Sequence, residues 1–240
     1  MFVTEHFVFL HLPKTAGVYV ESVCQENLRM KIRHTRRHAK SSELPEEHKG
    51  LPTIGIVRDP WDWYASMYYF AKAERNSATS DLIALASDHF ERDFEQTLPR
   101  LLEPDLALVK AYEGRMAALG GVVKDFECMD GSSLRRARDK GLGLLGFLAA
   151  EIFPARVDHM WRYESLRREM FAFLSPLCPD RQRFRAAMVS PARNASGKPS
   201  LDKIYTPASA QWVEQREAAW IKAYGYTVPS LSVRQREPRA

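Results

Sequence analysis

A short apolar run near the start of the chain constrains the fold more than any other feature of the sequence. Residues 7–12 read FVFLHL, Pro13 ends the run, and Gly17 follows a few positions later. A run this short and this apolar is typical of a strand that is buried on both faces. Beyond Gly17 the apolar residues recur at helical spacing, at Val20, Val23, Cys24 and Leu28. The pattern predicts a buried strand, a tight loop and a helix, in that order.

Two further strands are predicted later in the chain, and the first of them is expected to be buried. Residues 53–57, TIGIV, form a second apolar run, and an aromatic-rich segment of helical length follows at residues 61–73. A third strand is predicted at residues 157–163, with a helix after it at residues 164–174. Strands that alternate with helices predict an α/β fold with a central parallel sheet, because parallel neighbours need crossover connections.

The middle of the chain is predicted to be helical and two basic segments are predicted to be loops. Residues 77–151 include a helix that Asp105 would cap, and residues 142–153 form an apolar stretch of helical length. Residues 29–49 and 181–199 are polar and basic, and we expect them to be largely irregular.

The C-terminal part carries clear helix signals. Thr206 is a favourable N-cap, Pro207 suits the first helical position, and Gly225 is placed to end the helix. Helical spacing connects these signals through Val213 and Trp220. The tail at residues 229–240 is polar and basic, and we expect it to be frayed.

Length and composition favour one folded domain over residues 1–240. The chain is 45% hydrophobic, which is enough to form a core, and its net charge of +5 favours an anionic ligand. Three distant cysteines without a CxxC pair argue against a disulfide framework or a zinc site. The sequence shows no run of about 18 apolar residues and no secretory pattern. We therefore expect a cytoplasmic protein without stable membrane insertion.

The loop after the first strand is a candidate anion site. A loop that enters a helix from a buried strand presents unpaired backbone N–H groups and the positive end of the helix dipole. Lys14 adds a charge, Thr15 adds a hydroxyl donor, and Gly17 would let a ligand approach the backbone closely. The loop differs from the nucleotide triphosphatase pattern, because Lys14 precedes its only glycine. The alternative is an ordinary turn with a surface lysine.

A second candidate site follows the second strand. Arg58 stands at the carboxyl end of that strand, where ligands bind in open parallel sheets, and Ser66 lies two turns further on the next helix. An arginine and a serine together can hold one phosphate group. The alternative is that Arg58 pairs with Asp59 or Asp62.

Four segments, taken in order, resemble the PAPS-dependent sulfotransferases, where PAPS is 3′-phosphoadenosine 5′-phosphosulfate. Residues 9–17, FLHLPKTAG, resemble the 5′-phosphosulfate loop of that family, and residues 55–66, GIVRDPWDWYAS, resemble its 3′-phosphate segment. Residues 161–166, WRYESL, and the C-terminal part from residue 194 to residue 226 resemble two later elements. The closest resemblance is to the carbohydrate branch, which includes heparan 2-O and chondroitin 4-O enzymes and bacterial relatives.

The resemblance implies a three-layer P-loop-like fold, with a parallel sheet flanked by helices, and transfer of a sulfuryl group from PAPS to a hydroxyl. Lys14 would stabilise the departing phosphate, and Arg58 and Ser66 would bind the 3′-phosphate. Ser196 and Lys198 are weaker candidates to close over that phosphate. The full set of residues implied to bind PAPS, or its product PAP, is Pro13, Lys14, Thr15, Ala16, Gly17, Val18, Arg58, Ser66, Ser196 and Lys198.

Two positions depart from the family pattern. Val18 stands where the family usually has serine or threonine, so one donor to the phosphosulfate is lost and backbone groups would carry more of the binding. Trp63 stands where the family often has arginine, a change that would alter the acceptor side rather than the cofactor side.

The implied reaction needs a general base for the acceptor hydroxyl, and imidazole suits neutral pH. His38 is the first candidate, because residues 38–44, HAKSSEL, resemble a family segment whose histidine lies beside the acceptor. His34 is the second candidate, and a carboxylate, Glu21 or Glu43, is the third. The chemistry requires no metal, and no HExxH motif is present.

The acceptor is expected to be a small molecule or a glycan, with a carbohydrate hydroxyl favoured by the resemblance. Residues 77–151 would form a helical insertion on the acceptor side. One alternative is a P-loop-type nucleotide kinase, which magnesium dependence would reveal. Another is a non-catalytic module that binds an acidic glycan or another anion through the basic segments. We expect no nucleic-acid partner, and the sequence does not specify an oligomeric state.

Overall fold

The computed structural model describes residues 1–34, 36–74, 78–120, 128–178, 180–189 and 197–231. Within these residues the protein is an α/β fold built on one five-stranded sheet. Its strands are β1 (Phe2–Val3), β2 (Val8–Leu10), β3 (Arg33–His34), β4 (Thr53–Val57) and β5 (His159–Arg162). Their order across the sheet is β3-β1-β2-β4-β5. Most of the tail predicted to fray, residues 232–240, lies outside the described residues.

The three predicted strands are neighbours in the sheet and run parallel. Phe9 of β2 lies opposite Ile54 of β4, and Ile56 of β4 lies opposite Trp161 of β5. This arrangement confirms the parallel core of the sheet. It also places the carboxyl ends of β2, β4 and β5 along one edge.

The other side of the sheet adds antiparallel strands that the prediction of a central parallel sheet did not include. β1 pairs antiparallel with both β2 and β3, so the sheet is mixed. A tight turn joins β1 to β2, in which the N–H and hydroxyl of Thr4 both donate to the carbonyl of Phe7, at 2.9 and 3.1 Å. Each added strand is two residues long, which is too short to show a periodic pattern. β3 also lies within residues 29–49, which were expected to be largely irregular.

Twelve α-helices accompany the sheet in the described residues. They are α1 (Gly17–Ser22), α2 (Pro60–Ala73), α3 (Ala78–Ala86), α4 (Phe94–Leu102), α5 (Leu106–Ala118), α6 (Ser133–Asp139), α7 (Leu144–Ile152), α8 (Leu166–Leu174), α9 (Arg181–Met188), α10 (Leu201–Ile204), α11 (Pro207–Arg216) and α12 (Ala218–Tyr224). A π-helical segment, Val23–Asn27, continues α1. Throughout this described part, no helix has both the length and the apolar character needed to cross a bilayer.

Successive strand residues contribute to two separate hydrophobic clusters, one on each face of the sheet. Val8 and Leu10 belong to a cluster that includes residues of α2, α4, α5, α7 and α11. Phe9 belongs to the other cluster, which includes residues of α1, α8 and α9. β2 and β4 are therefore buried on both faces, as their apolar sequences predicted, whereas β5 is only partly buried.

The predicted caps are present. The side chain of Asp105 accepts a hydrogen bond from Leu108 N at 2.6 Å, and that of Thr206 accepts one from Ser209 N at 3.2 Å. Gly225 ends α12 in the left-handed conformation, with φ 63°. These contacts join residues close in sequence, which is why the sequence alone located them.

Two helix predictions need correction. Residues 181–199 were expected to be a loop, but α9 occupies the start of that segment. Phe184 and Met188 lie one turn apart on α9 and are buried in the cluster with α8, an apolar pair that the basic composition concealed. The single helix predicted after Thr206 is two helices, α11 and α12, which meet at the buried Glu217.

Candidate anion-binding site

The loop between β2 and α1 has a backbone suited to anion binding. Lys14 and Ala16 both adopt left-handed conformations, with φ 61° and 65°. Turns of this kind can direct successive N–H groups into one concave surface. The carbonyl of Ala16 accepts hydrogen bonds from the N–H groups of Tyr19 and Val20 and so begins α1. The N–H groups of Gly17 and Val18 belong to the first helical turn, which supplies no acceptors for them.

Thr15 plays a different part from the one its sequence position predicted. Its side chain is fully buried, and its hydroxyl donates to the carbonyl of Leu12 at 2.7 Å. The single hydroxyl proton is thus used to close the turn after the strand. In this conformation Thr15 contributes its backbone, rather than a hydroxyl donor, to a bound anion.

Gly17 provides space for a histidine that the sequence analysis did not single out. A Cβ at Gly17 would lie 2.1 Å from Nε2 of His11, so no side chain fits there while the imidazole is in place. His11 is itself 5% exposed. The available signal was a polar residue inside the otherwise apolar run at residues 7–12.

His38 lies against His11 rather than at an exposed rim. Its Nδ1 is 2.8 Å from the carbonyl oxygen of His11, and the two ring centroids are 4.5 Å apart. Because a carbonyl can only accept, Nδ1 carries the hydrogen and the lone pair is on Nε2. Burial lowers the pKa of His38 to about 4, so its imidazole is neutral at pH 7. The backbone of His34 is in β3, but its side chain lies outside the described part of the structure.

Lys14 places its ammonium in a partly desolvated position. Nζ lies 3.4 Å from the centroid of the Phe70 ring. Burial, followed by the nearby charge of Arg58, lowers the pKa of Lys14 to about 8. A cation that is poorly hydrated attracts an anion more strongly than one in bulk water, because the local dielectric is lower.

Arg58 brings the first loop and the end of β4 together. It follows β4 directly, and its side chain is almost fully buried with Cζ 4.0 Å from the centroid of the Tyr163 ring. Nη1 donates to the carbonyl of Lys14, and Nε donates to Oδ2 of Asp62 at 2.7 Å. The alternative pairing with Asp62 is therefore present, and it coexists with the contact to the Lys14 loop.

Lys198 approaches the same carboxylate from the C-terminal part of the chain. Its ammonium forms an ion pair with Oδ1 of Asp62, while Arg58 pairs with Oδ2. Ser66 lies one turn beyond Asp62 on α2 and is 2% exposed. Within the described residues its hydroxyl makes no hydrogen bond. Ser196, the other residue expected here, lies outside the described residues.

Two buried indoles fix the backbone of the site. Trp63 Nε1 donates to the carbonyl of Pro13 at 2.7 Å, and Trp220 Nε1 donates to the carbonyl of Arg58 at 3.1 Å. Trp63 thus supports the anion loop itself, whereas the resemblance to the sulfotransferases implied a role for this position on the acceptor side. Indole N–H groups are donors only, so each can satisfy one buried carbonyl.

The end of β5 adds a carboxylate that holds the loop after β4. Glu164 accepts a hydrogen bond from the N–H of Asp59 at 2.8 Å and one from the hydroxyl of Tyr226 at 3.2 Å. Burial raises the pKa of Asp59 to about 6, and the charges of Asp62 and Glu164 act in the same direction. Segments far apart in the sequence therefore meet beside Arg58.

Comparison with models of protein families, with curated proteins and with solved structures gives no significant match. Within the described residues, no three His, Cys, Asp or Glu side chains are grouped so that they could hold a metal ion. What the site can do is therefore argued from its own residues: a backbone concavity with Lys14 beside it, and a second cationic centre formed by Arg58 and Lys198 around Asp62.

Proposed function

We propose that this protein is a PAPS-dependent sulfotransferase that transfers a sulfuryl group to a hydroxyl of an acceptor. One observation carries the proposal. At the carboxyl ends of adjacent parallel strands, Arg58 donates to the carbonyl of Lys14 and so joins two cationic centres. A nucleotide with phosphate groups at its 5′ and 3′ positions presents two anionic centres to match.

The two centres differ in the donors that they offer. The first combines the N–H groups of Gly17 and Val18 with the ammonium of Lys14, which suits a 5′-phosphosulfate. The second combines Arg58, Lys198 and the hydroxyl of Ser66, which suits a phosphate monoester. Helices cover both faces of the sheet that positions the two cationic centres. This arrangement supports a three-layer P-loop-like fold as part of the proposal.

PAPS would supply the reactive sulfuryl group, which transfers by in-line displacement: an S–O bond forms to the acceptor as the bond from sulfur to the phosphate oxygen breaks. Lys14 would hold its ammonium near that oxygen and stabilise the negative charge that develops there. Nε2 of His38 is the proposed acceptor of the proton lost by the hydroxyl. His38 does not titrate near neutrality, so its neutral form is available throughout the physiological range.

The acceptor is proposed to be a carbohydrate or a glycoconjugate hydroxyl. The helices from α3 to α7, residues 78–152, are proposed to form the acceptor side. They follow α2 in the chain, and α2 carries Ser66 of the proposed 3′-phosphate site and Phe70, which contacts Lys14.

Calorimetric titration with PAP and ADP, without magnesium, tests the proposal. ADP lacks the 3′-phosphate, so PAP should bind at least about tenfold more tightly. Arg58→Gln should abolish this preference. Arg115→Gln is the matched control, because Arg115 also pairs with one aspartate, Asp81, but joins α5 to α3 instead of lying at the strand ends; this variant should keep the preference.

Equal binding of PAP and ADP, or binding of neither, would contradict the proposal. If ADP binds only when the titration is repeated with magnesium, and a 3′-phosphate adds no affinity, the nucleotide kinase would be favoured. Salt-sensitive binding of an acidic glycan without any response to PAP would favour the non-catalytic module.

A further inference from the structure

Asp62 places a carboxylate between the cations of the proposed 3′-phosphate site. Arg58 contacts Oδ2 through both Nε and Nη2, and Lys198 contacts Oδ1. Both carboxylate oxygens are therefore engaged by the side chains that an incoming phosphate would need. The three side chains thus form an ion-pair cluster centred on Asp62.

Asp62 is an anion at neutral pH. Burial acts to raise its pKa, but the charge of Arg58 and the hydrogen bonds from Lys198 and Arg58 outweigh burial and hold the pKa below its ordinary value. The Asp62 side chain is 22% exposed, compared with 6% for that of Arg58. Asp62 can thus turn toward solvent while Arg58 stays in place. The backbone need not move, because the N–H of Asp62 remains bound to Oδ1 of Asp59 at 2.9 Å.

We propose that Asp62 is an internal competitor: it occupies Arg58 and Lys198, and an anion such as a phosphate monoester must displace it before binding there. The identity of the ligand rests on the proposed function. The competition itself depends only on the three side chains and their charges.

Charge explains why a phosphate can displace the carboxylate. A tethered carboxylate competes at an effective concentration that is typically in the millimolar range. A phosphate monoester carries a charge of about −1.5 to −2 at pH 7, so its Coulomb attraction to two fixed cations exceeds that of a carboxylate. The free energy needed to displace Asp62 is the same for every ligand, so Asp62 should weaken the binding of each anion at this site by a similar factor.

Ser66 gives the phosphate a second advantage over the carboxylate. It lies one turn beyond Asp62, is nearly fully buried, and within the described part of the chain donates no hydrogen bond. A phosphate has three terminal oxygens, so it can contact Arg58, Lys198 and Ser66 together. Asp62 already uses both of its oxygens on the two cations.

Titration of two nucleotides at pH 7.5 tests the inference. Adenosine 3′-phosphate is a dianion there, and its 3′-methyl ester is a monoanion of similar size. Asp62→Asn should bind both nucleotides more tightly, by a similar factor of about tenfold or more, because neither ligand then has to displace a carboxylate. Asp62→Ser, with a smaller side chain, should behave in the same way and gives a second variant if the first does not fold.

The matched control is Asp81→Asn, which removes an aspartate that pairs with Arg115 between α3 and α5 and so contacts neither Arg58 nor Lys198. It should change both affinities by less than about twofold. Unchanged or weaker binding of adenosine 3′-phosphate and its ester by both Asp62 variants would overturn the inference.

Inorganic phosphate separates this inference from the proposed function. If Asp62→Asn binds inorganic phosphate more tightly than the wild type does, Asp62 competes with anions even if PAP and ADP prove equivalent. If it does not, the inference fails even if PAP binds the wild type as proposed.

Discussion

The imidazole of His11 occupies the space in which a side chain on Gly17 would lie. A Cβ at Gly17 would be 2.1 Å from Nε2 and 2.2 Å from Cδ2 of His11. The carbonyl of the same histidine accepts the hydrogen bond from His38. His11 therefore connects the end of β2, the anion loop and the proposed base through direct contacts.

Gly17→Ala should destabilise the protein by about 1–3 kcal/mol, because the added methyl overpacks a rigid site. The free energy of unfolding measured in urea checks this. Gly50→Ala is the matched control, since a Cβ at Gly50 would meet no atom within 4 Å. Removing the ring should relieve the overlap, so the effects of Gly17→Ala and His11→Ala should be less than additive. Additive effects would show that the ring is not the obstacle.

PAP affinity should fall as the pH rises above about 8. Burial and the charge of Arg58 lower the pKa of Lys14 to about 8. Above that pH Lys14 loses the proton that makes it a cation for the 5′-phosphate of PAP. At pH 9.5 only about one thirtieth of the Lys14 side chains remain protonated. Calorimetry from pH 7 to pH 9.5 measures the decline. Lys14→Arg, which stays protonated, should show a flat profile over this range; a flat wild-type profile would contradict the role given to Lys14.

His38→Asn should reduce turnover by about 10²–10⁴-fold, the usual contribution of a general base. Asparagine can keep a side-chain N–H directed at the carbonyl of His11 while removing the basic nitrogen, so PAP affinity should stay within about twofold of the wild-type value. The assay follows labelled sulfuryl transfer from PAPS to an acceptor identified by screening. A decrease of less than about threefold would exclude His38 as the base.

Glu217 should make the protein less stable as the pH rises from about 4.5 to about 7. Burial raises the pKa of Glu217 to about 7, although hydrogen bonds from Tyr64 (2.6 Å) and from the N–H of Gly146 (3.1 Å) oppose this. The raised pKa means that the folded state keeps a proton which the unfolded state releases. The stabilising contribution is therefore complete below pH 4.5 and is lost as the pH passes 7, by about 3 kcal/mol.

Urea unfolding of the wild type and of Glu217→Gln at pH 5 and pH 8 checks this. The variant has no proton to lose, so its stability relative to the wild type should increase between the two pH values. Glu214→Gln, at an exposed position of α11, should stay within about 0.5 kcal/mol of the wild type at both. A constant difference between the wild type and Glu217→Gln would contradict the titration of Glu217.

The parts of the fold that follow from local pattern could be predicted. The strand Thr53–Val57 was predicted with its observed ends, because five apolar or small residues between Pro52 and Arg58 leave little alternative. Asp105 and Thr206 could be predicted as caps because a cap acts locally: in the structure each side chain accepts a hydrogen bond from the N–H three residues further on. β1 and β3 could not be predicted, since two-residue strands have no period, and α9 was missed because its charged residues outnumber its apolar pair.

The candidate site also contains residues that the sequence predicted and residues that only the structure identified. Lys14 and Arg58 were identified from their positions after predicted strands, which the structure places side by side at the carboxyl ends of β2 and β4. His11 was missed as a site residue, because its importance comes from a contact with Gly17 that only packing creates. The ion pair of Asp62 with Lys198 was not predicted either, although Asp62 lies in the segment at residues 55–66 and Lys198 in the C-terminal part, both of which resemble the sulfotransferases.

The strand–loop–helix units and the cations that follow their strands can be read from local patterns, because short apolar runs, proline, glycine and capping residues act over a few neighbouring positions. The contact of Arg58 with the Lys14 loop, the ion pair of Lys198 with Asp62 and the packing of His11 above Gly17 arise from the tertiary structure. These contacts join distant segments. They depend on sheet order and on which side chains fill the remaining space, and neither is encoded in a local pattern.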